Sequence, residues 1–130
     1  PQSVQNQNPA WEGELSNQKE PFIKIVTTQE EWSQLWARAF DQSAPMVNFK
    51  KYVVACIFLG YSADWSYSID IGKSYRFGDA WIIPYCLVKN KLNLTGPFEA
   101  SGQYAMRILK KKKDARMVLA EVDQSVMKRW

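Results

Sequence analysis

No histidine occurs among the 130 residues. That removes the imidazole base from Ser-His-Asp and Cys-His nucleophile arrangements, and with it the commonest zinc ligand. Cysteine is scarce: Cys56 and Cys86 alone cannot frame a disulfide-stapled scaffold or a zinc site. Each stands inside an apolar run and reads as a buried thiol packing like a small hydrophobe. A disulfide between neighbouring strands is the alternative in an oxidising compartment. No apolar stretch approaches the ~18 residues of a membrane helix; the longest, Tyr52 to Leu59, is strand-sized. Glycine-rich phosphate loops and nucleophile elbows are missing too. Asp64, Asp70 and Asp79 flank the central loops, where turn chemistry accounts for carboxylates without a reaction. These absences point away from an enzyme, and the sequence suggests no catalytic residue, cofactor or metal.

What is present is apolar and aromatic. Hydrophobic residues make up 46% of the chain, with six each of Trp, Tyr and Phe, so the body of the chain has ample material for a core. Residues 1 to 10 carry Gln, Asn, Ser and Pro without periodicity and read as a flexible leader, leaving 11 to 130 as one globular domain. Thr28-Gln29-Glu30-Glu31 has the form of a capping box, with Thr28 placed to accept from the amide three residues on and Glu31 placed to reach back. Trp32, Leu35, Trp36 and Phe40 then recur on one helical face until Asp41-Gln42-Ser43-Ala44-Pro45 stops the helix. Two tryptophans at i and i+4 are what a helix packing onto a sheet needs.

Strand patterns surround this helix. Trp11 to Leu15 and Phe22 to Val26 form short candidates before it. Tyr52 to Leu59 is apolar on both parities, as in a strand covered on both faces, and Gly60 is expected to end it. Tyr67, Ile69 and Ile71 alternate with polar residues. Asp79 to Val88 is a further run, with Pro84 inside it demanding an edge position, a bulge or a break. Asn90 to Gly102 reads as a loop and includes the glycosylation-type triplet Asn93-Leu94-Thr95. Gln103 to Lys110 and Ala115 to Val122 are expected to form a hairpin around a lysine tip. The sum predicts a mainly β fold, an antiparallel β-sandwich or open barrel of about six or seven strands with one amphipathic N-terminal helix.

The order of features resembles a known family. Glu20-Pro21-Phe22-Ile23-Lys24-Ile25-Val26 leads into Thr28-Gln29-Glu30-Glu31-Trp32-Ser33-Gln34-Leu35-Trp36. Ala44-Pro45-Met46-Val47-Asn48-Phe49, the Tyr52-to-Gly60 run, Tyr67-Ser68-Ile69 and the pair Pro84-Tyr85 follow. This succession is similar to the PrcB-like domain, named after a subunit that stabilises a surface protease complex in bacteria, over roughly residues 12 to 90. Asn48 stands where that family usually has Asp, and Ser62-Ala63-Asp64-Trp65-Ser66 replaces a Pro-Thr-Gly-Gly type of loop. The resemblance implies a non-catalytic exported bacterial domain, periplasmic, lipoprotein-anchored or secreted, whose partner is a protein such as a protease or another envelope protein.

Two surfaces are candidates for binding. The loop around Tyr61, Asp64, Trp65 and Tyr67 carries large aromatics between two strands, where an interface anchor would sit, although a tryptophan there also serves as a lid over the core. The second is basic: Arg107, Lys110, Lys111, Lys112, Lys113 and Arg116 would suit a single-stranded nucleic acid or another anionic polymer. With 17 Lys and Arg against 13 Asp and Glu the net charge is only +4, and a solvated turn explains the same lysines.

Overall fold

Thr28 takes the extended conformation of a helix cap (φ −132°, ψ 151°), and its Oγ1 accepts from the Glu31 N–H at 3.2 Å. Half of the predicted capping box forms. The Glu31 carboxylate turns instead to the ammonium of Lys24. The helix that follows, α1, spans Gln29–Phe40 and ends on Asp41 in the left-handed region (φ 52°), whose N–H donates to the Ala37 carbonyl at 3.1 Å. Replacing Thr28 by Ala should cost ~0.5–2 kcal/mol, the range for lost N-caps. Urea unfolding measures it, and an unchanged midpoint would mean the cap contributes nothing.

The computed structural model describes residues 10–62, 66–90 and 101–127. The expected leader lies outside these apart from Ala10, as do Asn93-Leu94-Thr95. The strands are β1 (Ala10–Gly13), β2 (Phe22–Val26), β3 (Tyr52–Ser62), β4 (Ser66–Ile71), β5 (Tyr75–Phe77), β6 (Ala80–Asn90), β7 (Ser101–Lys110) and β8 (Arg116–Glu121), with a single-turn helix α2 (Gln124–Met127) after them. The first sheet has the order β1-β7-β3-β2 and is antiparallel throughout. The second is built on β6, which pairs antiparallel with β4 and β5 and parallel with β8. The fold is mainly β, an open sandwich with one amphipathic helix. The strand beyond the expected seven is β5, three residues long and too short to show a period.

β3 explains the layering. Val54, Cys56 and Phe58 face α1, packing with Trp32, Leu35, Trp36 and Ala39, while Ile57 faces the second sheet with Ile71, Ile83 and Tyr85. A strand covered on both faces needs apolar residues at every position, and Val53 to Phe58 are all buried. Gly60 does not end this strand. At φ 78° it bends it, and the register shifts between Phe58 and Tyr61 before pairing resumes with β7.

Two further expectations need correcting. β7 and β8 are not a hairpin: β7 already has β3 on one side and β1 on the other, so no edge is left for β8. The chain crosses at the lysine run to the second sheet, where β8 lies parallel to β6. Pro84, in turn, sits inside a paired strand without breaking it. Its carbonyl accepts from the Gly72 N–H at 2.8 Å, so the position lacking an N–H faces the joint between β4 and β5. The interruption falls in the partner strands.

Candidate functional site

A groove of about 440 Å³ separates the edges of the two sheets, with Glu12 and Gly13 of β1 and the following Glu14 on one side and Tyr67 to Asp70 from β4 on the other. Gln103 and Tyr104 of β7 complete the lining. Gln103 ties the two sheets together. Its Oε1 accepts from the Tyr67 N–H at 2.8 Å, and its Nε2 donates to the Tyr67 carbonyl. The side-chain amide thus occupies the place a peptide group of a neighbouring strand would take. Four residues along β7, the Arg107 guanidinium donates to the Ile71 carbonyl at 2.6 Å. Residues two apart on a strand direct their peptide groups to the same edge. Ile69, between Tyr67 and Ile71, therefore turns its N–H and C=O toward the groove. The same alternation applies to the first sheet, where the Lys111 N–H bonds Lys51 O at 2.9 Å and sets the phase of the β3–β7 ladder. It leaves the peptide of Glu12 on the outer edge of β1.

Of the four residues expected at the aromatic loop, Tyr67 lines the groove and Tyr61 lies on β3 beyond the bulge, 41% exposed. Asp64 and Trp65 lie outside the described residues. Tyr61 pairs with Gly102, and its N–H donates to Lys19 O at 2.9 Å, so its backbone is held. Gly102 also packs against Ser16, which brings Leu15, 75% exposed, to the same end of the sheet. Sequence reasoning missed Glu12 and Glu14, and read Asp70, which also lines the groove, as a residue flanking a turn. They lie far apart in the chain, and only the pairing of β1 with β7 and the Gln103 tie bring them together.

The basic residues separate into four places. Arg107 serves the β4 edge, and Arg116 lies 3.5 Å from the Asp79 carboxylate. Lys110, Lys111 and Lys113 line a different cleft of about 430 Å³ with Lys50, Lys51 and Tyr52, because Tyr52 pairs with Lys110 across the β3–β7 ladder. Lys112 leans the other way, its Nζ 4.3 Å from the centre of the Trp81 ring. The groove and this cleft sit at opposite ends of β7, roughly 20–25 Å apart at ~3.4 Å per residue.

Cys56 and Cys86 are both free and buried. Cys56 faces α1, while Cys86 alternates with the inward Tyr85 and Leu87 and so points away from the first sheet; the two do not pair. Burial pushes the Cys56 thiol pKa up, with Glu31 adding to it. Cys86 is raised by burial and then by Asp70, Asp123 and Glu121. Tyr85, by burial and Glu121, and Tyr104, by burial, move the same way. Each native group holds its proton more tightly than the unfolded one. The stability they contribute is complete below the unfolded pKa, ~8.5 for thiols and ~10 for tyrosines, and is lost as pH rises beyond it. Urea midpoints should therefore fall between about pH 8 and pH 10.5; a flat profile would contradict the burial of these groups.

Among the described residues, no three Cys, Asp or Glu side chains are grouped to hold a metal ion, and no helix is long and apolar enough to cross a membrane. Compared with family models, curated proteins and solved structures, the chain matches none.

Proposed function

We propose that this chain is a non-catalytic, exported bacterial interaction domain, related to the PrcB-like domains, that holds an extended, basic segment of a protein partner between its two sheet edges. The observation that carries the reading is the groove between β1 and β4, with peptide groups of Glu12 and Ile69 on its two banks. An extended segment binds by adding main-chain hydrogen bonds to an exposed edge, with side-chain contacts providing selectivity. Glu12, Glu14 and Asp70 line the groove, whereas no Lys or Arg does among the described residues. That charge suits lysine or arginine side chains on the incoming segment. Tyr61 and Leu15, exposed at the same end of the sheet, provide apolar anchorage of the kind that dominates interface energies. A protease or another envelope protein is the partner we propose, its stabilisation following from mass action when only the folded partner is bound.

The test is photo-crosslinking from position 61 in an envelope extract, followed by identification of the captured peptide. A lysine- or arginine-rich extended segment is expected, with capture reduced by Glu12→Gln, Glu14→Gln and Asp70→Asn together at unchanged melting temperature. Capture of an acidic segment, or capture indifferent to the three changes, would overturn the reading.

A further inference from the structure

The lysine cleft at the other end of β7 has no place in the proposal above. Lys50, Lys51, Lys110, Lys111 and Lys113 line it, and Tyr52 is the one aromatic in the wall. Its lysines come from two strand ends that the β3–β7 register holds side by side, so their convergence is built into the sheet. The Lys111 Nζ reaches the Phe49 carbonyl at 3.4 Å. Among the described residues, none of the five ammonium groups lies within ion-pair distance of a carboxylate. Like charges brought together without counter-charge repel, and an anionic ligand relieves that repulsion.

We propose that this cleft binds a flexible linear chain of phosphate groups. The cleft is concave, which suits a chain entering it better than a flat anionic membrane. Five of its six lining residues are lysines, so recognition is by charge density along the chain, with Lys as a point-charge phosphate contact. A single-stranded nucleic acid and a base-free polyphosphate share this chemistry. Tyr52 is a single aromatic, fewer than the successive stacking platforms of dedicated single-strand binders.

The experiment uses the full chain and a fluorescein-labelled oligothymidylate of about ten nucleotides, within the ~4–16 nucleotides of a typical single-strand site. Inorganic polyphosphate and polyglutamate of matched charge serve as competitors. Binding should weaken linearly with the logarithm of salt concentration. In the triple variant Lys110→Gln, Lys111→Gln, Lys113→Gln the slope should drop by about 2, since each single-strand phosphate contact contributes ~0.7. A control with Lys19→Gln, a residue whose carbonyl bonds the Tyr61 N–H at the far end of β3, should keep the slope. Displacement by polyphosphate at equal phosphate assigns the site to a base-free chain; oligothymidylate binding that resists polyphosphate assigns it to nucleic acid. No binding at low salt, an unchanged slope in the triple variant, or equal displacement by polyglutamate would overturn the proposal. Thermal melting of both variants separates lost binding from lost folding.

Discussion

Replacing Trp36 by Ala is expected to lower the unfolding free energy by ~3–5 kcal/mol, the range for a large aromatic removed from a core. Trp36 lies under α1 with ring centroids 4.6 Å from Phe40, 5.6 Å from Trp32 and 6.0 Å from Trp11. Truncation opens a cavity between the helix and the first sheet that these rings cannot close without leaving their own contacts. An unchanged melting temperature would show that the helix face is not what holds the layer. The neighbouring tryptophan gives a finer test. The Trp32 Nε1–H donates to the Pro45 carbonyl at 2.8 Å, whereas the Trp36 Nε1 is buried without a partner. Trp32→Phe removes the donor and leaves a carbonyl unpaired, a loss of ~1–3 kcal/mol beyond the packing change; Trp36→Phe removes a donor that has no bond to lose. Trp32→Phe should therefore be the more damaging of the two, and the reverse order would contradict the assignment of these hydrogen bonds.

Gly60→Ala is the second large effect. At φ 78° a side chain is strained by ~1–2 kcal/mol, and an added Cβ would lie 2.8 Å from Lys19 O and 3.0 Å from Pro21 N. Those atoms are backbone and yield only by moving the segment that covers the end of β3 and β7. Overpacking of this kind costs a further ~1–3 kcal/mol, so a total of ~2–5 kcal/mol is expected. Gly78 is the useful contrast: it too has a positive φ (61°), but nothing lies within 4 Å of its would-be Cβ. Gly78→Ala should show the strain alone. Equal losses at the two positions would mean the Lys19–Pro21 segment does not pack on Gly60.

The helix, its cap and the two-sided burial of β3 were legible in the sequence because each rests on a period or a spacing within a dozen residues. Strand pairing is not local, and there the reading went astray. Gln103 to Lys110 and Ala115 to Val122 look like a hairpin when only their separation is considered. Only the occupation of both edges of β7, by β1 from the start of the chain and β3 from its middle, rules that pairing out. Pro84 points to an edge position, a bulge or a break in its own strand, since nothing in the sequence says that its partners β4 and β5 stop on either side of it. The candidate sites divide in the same way. Lys110 to Lys113 are contiguous and were visible as a basic run, but Lys50 and Lys51 join them only through the β3–β7 register. Arg107 belonged to the same run by sequence, yet its position on the strand directs it to Ile71. For the groove, Tyr61 and Tyr67 were found as aromatics flanking a loop. Gln103 carries no motif at all, and its role depends on meeting the peptide of Tyr67.

Residue-resolved amide hydrogen exchange decides whether the groove between β1 and β4 accepts an extended basic segment. The probe is a short peptide of alternating lysine and valine, added to the full chain at moderate salt. Slowed exchange is expected at the Ile69 amide, turned toward the groove, and at the Glu12 amide on the outer edge of β1, with the amides of Lys50 and Lys111 unaffected. Peptide binding without protection at Ile69, or protection confined to another edge of either sheet, would contradict it.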